Sequence, residues 1–147
     1  MARLGTAPEA ELARDYAERA TAAGRSLGLG PVEVVEVEPR KPGKAAEAQA
    51  LREKIADAHL ICCDEHGAAM TSRAFAARIG KLRDDGVRRL VIVIGGADGL
   101  DPSLLAEARE TLAFGPQTWP HALVRAMLSE QVYRAVTILA GSPYHRD

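Results

Sequence analysis

The segment FGPQTWPHALVR, residues 114–125, contains a neutral loop whose residue types suit ligand binding. Gly115, Pro116 and Pro120 surround Trp119, the only tryptophan of the chain. Proline fixes φ and stiffens a loop before a ligand arrives, which lowers the entropic cost of binding. A rigid loop with exposed amides and carbonyls suits an adenine ring read by main-chain hydrogen bonds. The alternative is a rigid turn whose tryptophan fills the core.

A second set of candidate residues is cationic. The tail SPYHR places Tyr144, His145 and Arg146 beyond the last predicted helix, which carries Arg125 and Arg134. Guanidinium groups beside an aromatic ring are what a phosphate backbone and a stacked base require. The basic residues of an earlier loop could extend this patch: Arg40, Lys41 and Lys44.

The last helix is predicted to carry a polar stripe, but its charged residues also have a simple structural explanation. His121, Arg125 and Ser129 follow each other at a spacing of four residues, and the apolar residues Leu123, Met127, Ala135 and Leu139 are expected to pack inward. Glu130 and Arg134 are also four apart, which by itself indicates only an intrahelical ion pair worth a few tenths of a kcal/mol. A chain end such as SPYHR is usually disordered.

Helices and strands alternate in the predicted order of elements. Capping and periodicity predict five helices, which run from Ala7 to about Ala23, from Ala45 to Ala58, from Ser72 to Gly86, from Pro102 to about Glu110 and from His121 to Leu139. Thr6 is the predicted N-cap of the first helix, Ser72 the predicted cap of the third and Asp101 the predicted N-cap of the fourth. Apolar or alternating runs predict strands at PVEVVEVEP, HLICC and LVIVI, and TLAF is a further apolar run.

This alternation predicts an α/β fold with a mainly parallel sheet flanked by helices. Ligands of such folds bind outside the carboxyl ends of the strands. Three loops leave strand ends and are expected to converge there: Asp64–Gly67, Gly95–Gly99 and Gly115–Pro120. In the GGADG turn, glycine permits close backbone approach to a ligand, although a tight strand-to-helix turn is the simpler interpretation.

Composition restricts the class of protein. The 147 residues fit a single domain, residues 1–147, and a net charge of −1 leaves nucleic-acid contact to a local basic patch. No apolar run approaches the ~20 residues that span a bilayer, so we expect a cytoplasmic protein with no membrane partner. Cys62 and Cys63 are expected to be buried and reduced. The four histidines show no ligand spacing with the cysteines, so no metal is expected.

Three motifs together resemble a known family. VIGGADGL, LAFGPQTWPHALVRAMLSEQVYRA and PYHR, in this order and at these spacings, are similar to the RlmH family of SPOUT-class methyltransferases. The resemblance extends from about Val32 to the C-terminus and is most specific in the last third. It implies a C-terminal trefoil knot, a homodimer, S-adenosylmethionine as cofactor, and methylation of N3 of a pseudouridine in large-subunit (23S) ribosomal RNA on the assembled ribosome.

The resemblance also implies roles for individual residues. Cofactor contacts fall on Cys63, Gly95, Phe114, Gly115, Pro116, Gln117, Thr118 and Trp119, although the family usually has leucine at Cys63 and often methionine at Gln117. Residues tied to methyl transfer match Arg134, Tyr144 and His145, with Arg134 expected to stabilise charge and His145 to contact RNA or act as general base. RNA contacts are expected at His121, Arg125 and Arg146.

One feature departs from the family pattern. Members normally begin with an apolar strand before the first helix, whereas this sequence begins MARLGTAPE, so the first strand is expected to be missing. Two other functions compete with the methyltransferase. A non-catalytic nucleotide-binding α/β regulatory module would use the same strand-end loops but has no need of the terminal YHR. A flavodoxin-like or dinucleotide-dependent oxidoreductase is disfavoured because no G-x-G-x-x-G turn is present.

Overall fold

The computed structural model describes residues 6–96 and 98–147. The helices and strands of these residues are α1 (Pro8–Gly24), α2 (Lys44–Ile55), β1 (His59–Ala69), α3 (Ser72–Asp84), β2 (Leu90–Ile94), α4 (Pro102–Glu107), β3 (Glu110–Ala113) and α5 (His121–Ala140), with a 3₁₀ helix at Arg25–Leu27. They fall into two compact units. The sheet unit holds Val35–Ala69 and Arg88–His121, and the helical unit holds residues 6–34, Met70–Val87 and Ala122–Asp147.

The sheet unit is built on three strands in the order β2-β1-β3. Both neighbours of β1 run parallel to it, with His59 opposite Leu90 and Ile61 opposite Glu110. The predicted parallel α/β sheet is therefore confirmed. The central strand is longer than the predicted HLICC, because pairing with β3 resumes at Ala68 after an interruption that begins at Cys63.

Helices α2 and α4 cover the sheet unit's core. Its buried side chains come from both helices, from β1 and β2 and from the turn before α4: Ala48, Ile55, Leu60, Cys62, Val93, Leu100 and Leu104. Leu104 is fully buried, so truncation to alanine would cost about 2–5 kcal/mol. The β-branched run of β2 fits a strand that packs against such neighbours.

Local signals determine where α4 begins. Asp101 is the N-cap, as predicted, and its carboxylate accepts from the Ser103 N–H at 2.9 Å, while Pro102 occupies the first turn. The helix ends at Glu107 rather than near Glu110. Glu110 instead opens β3, because the Arg109 N–H donates to the Leu60 carbonyl and draws the chain into the sheet.

The helical unit packs small residues closely. The buried positions of α1 are almost all alanines, Ala10, Ala13, Ala17 and Ala20, spaced along one helical face. On α3, Phe75, Ile79 and Leu82 are buried as predicted. A Cβ at Gly80 would lie 3.0 Å from a methyl carbon of Leu139, so glycine lets α3 and α5 approach each other.

Several predicted boundaries were wrong by one to three residues. Ala7, not Thr6, is the N-cap of α1, and no side chain caps it. Thr71, not Ser72, caps α3, because its hydroxyl accepts from the Ala74 N–H at 3.0 Å, whereas the Ser72 hydroxyl donates to Gln131. Helix α2 ends at Ile55, not at Ala58, where the chain leaves the helical conformation.

The predicted strand at residues 31–39 is not formed. Partly buried Val32 and Val34 alternate with exposed Glu33 and Val35, but Glu36 is the only residue of this described segment that takes part in a β-bridge. An alternating pattern of apolar and polar residues buries one face of an extended segment, but it does not by itself provide a neighbouring strand for pairing. The expected absence of a first strand concerns residues 1–5, which lie outside the described residues.

Candidate functional site

The carboxyl ends of the three strands lie at one edge of the sheet unit. Cys63 on β1 is opposite both Ile94, the last residue of β2, and Leu112 on β3. Gly95 follows Ile94, and Phe114 follows the last residue of β3. The structure therefore brings together the starts of the three predicted loops.

The first of these loops is a bulge inside β1. Cys63 and Ala68 both pair with Leu112, so residues 64–67 are looped out. Within the bulge, the His66 N–H donates to the carboxylate of Asp64 at 3.1 Å, and the His66 side chain is 83% exposed. A Cβ at Gly67 would lie 2.8 Å from the Leu112 nitrogen, so only glycine fits where the bulge returns to the sheet.

The loop after β3 is closed by its tryptophan. The indole Nε1–H of Trp119 donates to the Phe114 carbonyl at 3.0 Å. Trp119 is 39% exposed, so it does not fill the core. Gly115 has a φ of +86°, a conformation that favours glycine, and residues 116–120 are exposed. This loop is preorganised, with an open surface.

A side-chain hydrogen bond joins the bulge to this loop. The Thr118 hydroxyl donates to the Glu65 carboxylate at 3.3 Å. The sequence placed Glu65 in a converging loop but gave no signal for this partner, because the two residues are 53 positions apart.

Close packing within the GGADG turn requires glycine at position 95. A Cβ at Gly95 would lie 2.8 Å from the Gly99 carbonyl carbon and 2.9 Å from the Leu100 nitrogen. Gly96 and Gly99 form an antiparallel bridge, and the Gly99 N–H donates to the Gly96 carbonyl at 3.0 Å. Packing of the turn on itself accounts for Gly95 without any ligand.

Both cysteines are free thiols held in the neutral form. Burial raises the pKa of Cys62 to about 11, with the charges of Asp64 and Glu107 adding to the effect. Burial, and then Cys62, raises the pKa of Cys63 to about 12. The thiol at the strand edge is therefore an apolar contact surface and a poor nucleophile at neutral pH.

A second constellation, the tail cluster, lies in the helical unit and consists of Glu130, Arg134, Tyr144 and His145. Glu130 Oε1 accepts from Arg134 Nε at 2.9 Å, from Arg134 Nη2 at 2.7 Å and from the Tyr144 hydroxyl at 3.0 Å. Arg134 Nη1 lies 3.0 Å from His145 Nδ1. The intrahelical ion pair is thus one part of a network that orders the chain end.

Aromatic rings support the tail cluster. The Tyr144 ring lies edge-on to Tyr133, with centroids 4.7 Å apart, and the Arg134 guanidinium lies 4.8 Å from the Tyr144 centroid. Burial raises the pKa of Tyr144, and hydrogen bonds with Tyr16 and Glu130 raise it further, so the phenol stays protonated. The hydrogen bond to Glu130 raises the pKa of Arg134, which stays cationic.

Two residues that sequence reasoning missed extend this cluster, Asp147 directly and Arg73 through Asp147. Asp147 Oδ1 lies 3.1 Å from His145 Nε2 and accepts from Arg73 Nε at 2.6 Å. No local pattern indicates Arg73, which lies 74 positions from Asp147.

The three residues predicted to contact RNA do not all belong to the same unit. Exposed His121 is the first residue of α5 and belongs to the sheet unit, whereas half-buried Arg125 and exposed Arg146 belong to the helical unit. The predicted polar stripe was wrong at Ser129, which is buried because its hydroxyl donates to the Arg125 carbonyl one turn earlier. Leu123 is 43% exposed and does not pack inward as predicted.

The described residues form neither a metal site nor a membrane-spanning helix. Among residues 6–96 and 98–147, no three His, Cys, Asp or Glu side chains are grouped so that they could hold a metal ion. None of the helices that the structure describes combines the length and apolar character needed to cross a membrane.

Comparison with known proteins identifies one family. A family model described as "Predicted SPOUT methyltransferase" matches residues 1–145. The chain is 75% identical over 145 residues to Ribosomal RNA large subunit methyltransferase H of Phenylobacterium zucineum (strain HLK1), and the match covers 99% of this chain and 94% of that protein. Proteins of the same name from Caulobacter sp. (strain K31) and Ruegeria pomeroyi (strain ATCC 700808 / DSM 15171 / DSS-3) are 72% and 54% identical, over 99% and 98% of this chain and 94% of each relative.

Proposed function

The chain belongs to the SPOUT methyltransferase family, and from this premise we propose that it methylates large-subunit ribosomal RNA with S-adenosylmethionine as methyl donor. The observation that carries the proposal is the 75% identity, over almost the whole chain, to a relative named as a large-subunit ribosomal RNA methyltransferase. On the earlier resemblance, the finer proposal is methylation of N3 of a pseudouridine on the assembled ribosome. A single domain, a trefoil knot, a homodimer and a cytoplasmic location belong to the same proposal.

The proposed donor site is the strand edge of the sheet unit. The residues that would hold the donor are Cys63, Gly95, Phe114, Gly115, Pro116, Gln117, Thr118 and Trp119. When bound, S-adenosylmethionine supplies a methyl group already activated on a sulfonium. The exposed loop closed by Trp119 would present main-chain groups to the adenosine.

The thiol at this edge fits such a donor. A thiolate beside an activated methyl group would compete as a nucleophile. Burial keeps the pKa of Cys63 near 12, so this side chain offers an apolar contact where the family usually has leucine. The substitution is therefore compatible with donor binding.

The tail cluster supplies residue types suited to the transfer. The N3–H of a pyrimidine imide must lose its proton as the methyl group arrives, so negative charge develops on the ring. Arg134, kept cationic by Glu130, would stabilise that charge. Tyr144 stays neutral and donates to Glu130, which holds the carboxylate beside Arg134. The resemblance leaves two roles for His145, an RNA contact and a general base.

The proposed function is tested on ribosomes that lack the modification. Purified protein is incubated with S-adenosylmethionine carrying an isotopically labelled methyl group and with either assembled ribosomes or separate large subunits, and RNA nucleosides are analysed by mass spectrometry. We expect labelled N3-methylpseudouridine in large-subunit RNA, with assembled ribosomes as the better substrate. Label only in small-subunit RNA or protein would overturn the proposal, as would donor binding without transfer, which points to a non-catalytic nucleotide-binding module.

A further inference from the structure

We propose that Asp147 and Arg73 are positioning residues that fix His145 as its Nε2–H tautomer, so that His145 orients Arg134 and does not act as the general base. The inference rests on the proposed function of the tail cluster. It adds two residues to that cluster and decides between the two roles left open for His145. The hydrogen-bonding capacity of each group carries the argument.

The contact with Arg134 determines one nitrogen of His145. A guanidinium has only donors, so the bond of 3.0 Å between Arg134 Nη1 and His145 Nδ1 requires Nδ1 to be the acceptor. A neutral imidazole has one accepting and one donating nitrogen. The proton of His145 must therefore be on Nε2.

The contact with Asp147 agrees with this assignment. A carboxylate only accepts, so the 3.1 Å bond between His145 Nε2 and Asp147 Oδ1 requires a proton on Nε2. The same oxygen accepts from Arg73 Nε at 2.6 Å. Bonding by Arg73, and then by His145, lowers the pKa of Asp147, so its carboxylate is ionised and remains an acceptor. Donation thus runs from Arg134 to His145 and from His145 to Asp147, and Asp147 also accepts from Arg73.

This chain of bonds orients the Arg134 guanidinium. Nε and Nη2 of Arg134 donate to Glu130 on one side, and Nη1 donates to His145 on the other. The plane of the guanidinium is fixed by partners on two sides, and its other N–H groups take no part in these bonds. A fixed donor array is what stabilisation of developing charge requires.

In this arrangement neither nitrogen of His145 has a lone pair available for the imide proton. Its Nε2 already carries a proton, and the lone pair of Nδ1 is directed at Arg134. Protonation at Nδ1 would break the bond to Arg134 and place an imidazolium against a guanidinium. His145 is thus a positioning residue, and the proton of the imide passes to solvent water.

The first test is spectroscopic and needs no substrate. Long-range ¹H–¹⁵N correlation spectra of labelled protein report which nitrogen of each histidine carries the proton, and a His145→Gln variant identifies the signals of His145 among the four histidines. We expect the Nε2–H tautomer in the wild-type protein and a mixture of tautomers in Asp147→Ala, because the bond to Arg134 alone then holds the ring of His145. An Nδ1–H tautomer in the wild type would overturn the inference, as would a tautomer unaffected by Asp147→Ala.

The second test is kinetic. We expect kcat for methyl transfer to fall about two- to fivefold in Arg73→Ala and Asp147→Ala with KM unchanged, because exposed ion pairs have modest effects, and Asp147→Glu to restore part of the loss. Lys81→Ala is the matched control, because Lys81 forms an exposed pair with Asp85, 2.8 Å away, at the other end of α3. Kinetics equal to those of the control would contradict the positioning role. An inactive wild type with the expected tautomer would instead refute the proposed function alone.

Discussion

Trp119 donates its indole N–H to the carbonyl oxygen of Phe114, five residues earlier, and this bond closes the loop at the end of β3. The exposed indole is thus a structural part of the loop and, at the same time, part of its surface. A loop closed in this way keeps its shape before a ligand binds, which lowers the entropic cost of binding.

Trp119→Phe should weaken donor binding without unfolding the protein. Phenylalanine keeps an aromatic surface but cannot donate to Phe114, and one lost hydrogen bond costs about 0.5–1.5 kcal/mol. We expect the dissociation constant of S-adenosylmethionine, measured by calorimetry, to rise about three- to tenfold on that basis. Thr118→Val is the companion variant, because it removes the bond to Glu65 at the other side of the loop. Wild-type affinity in Trp119→Phe would show that the closing bond has no role in binding.

Two adjacent glycines should differ in their tolerance of alanine. The added Cβ of Gly95→Ala meets backbone atoms of Gly99 and Leu100, which cannot move aside without opening the turn. We expect this variant to lose about 1–3 kcal/mol of unfolding free energy and to bind the donor weakly. In Gly96→Ala the Cβ meets only the Glu47 carboxylate at 3.1 Å, the end of a flexible side chain, so stability should stay within about 1 kcal/mol of wild type. Denaturant unfolding measures both, and equal losses would refute the steric explanation.

Arg134→Lys should abolish most methyl transfer while leaving donor binding intact. Lysine keeps the charge but cannot bond Glu130 through two nitrogens and His145 through a third. We expect kcat to fall about 100-fold or more, the magnitude typical of a lost charge-stabilising group. Arg83→Lys on α3 is the control, because Arg83 is likewise a bonded arginine of the helical unit, with the Asp84 carboxylate and the Leu27 carbonyl as its partners. If both variants keep wild-type kcat, Arg134 does not stabilise the transition state.

Stability should fall in alkali because of the two thiols. Their pKa values in the folded protein are about 11 and 12, against an ordinary value of 9.0 for an exposed thiol. Between pH 9 and 11 the unfolded chain loses these protons and the folded chain keeps them, so rising pH favours unfolding, by at most about 1.4 kcal/mol per pH unit for each thiol. Unfolding free energies of the wild type and Cys63→Ala should therefore converge or cross as pH rises. Parallel curves would mean that Cys63 titrates normally.

The sequence predicted the sheet edge well for a physical reason. Parallel strands must all end on the same side, so recognising the strands at HLICC and LVIVI was enough to bring Cys63 and Gly95 together. The family was predicted from three motifs, most specifically in the last third of the sequence, and the family model and relatives confirm it. Conversely, the alternating run at residues 31–39 matched the observed burial at Val32, Glu33 and Val34 but did not form a strand, because strand formation depends on a partner far along the chain.

Contacts between distant side chains could not be predicted in this way. The bonds of Thr118 with Glu65 and of Arg73 with Asp147 join residues 53 and 74 positions apart, and no local pattern encodes them. Ser129 was expected on a polar stripe from its type, but its hydroxyl is satisfied by the carbonyl one turn earlier and needs no solvent. Whether a polar residue is buried thus depends on bonds that periodicity does not reveal.

The bulge in β1 separates residues that are free to vary from a residue that the sheet requires. Since Cys63 and Ala68 share the partner Leu112, residues 64–66 can be exchanged or lengthened in related proteins without shifting the register of the sheet, while Gly67 must remain. If the proposed donor binds at this edge, its recognition can diverge by changes in this short segment alone. The scaffold beneath it need not change.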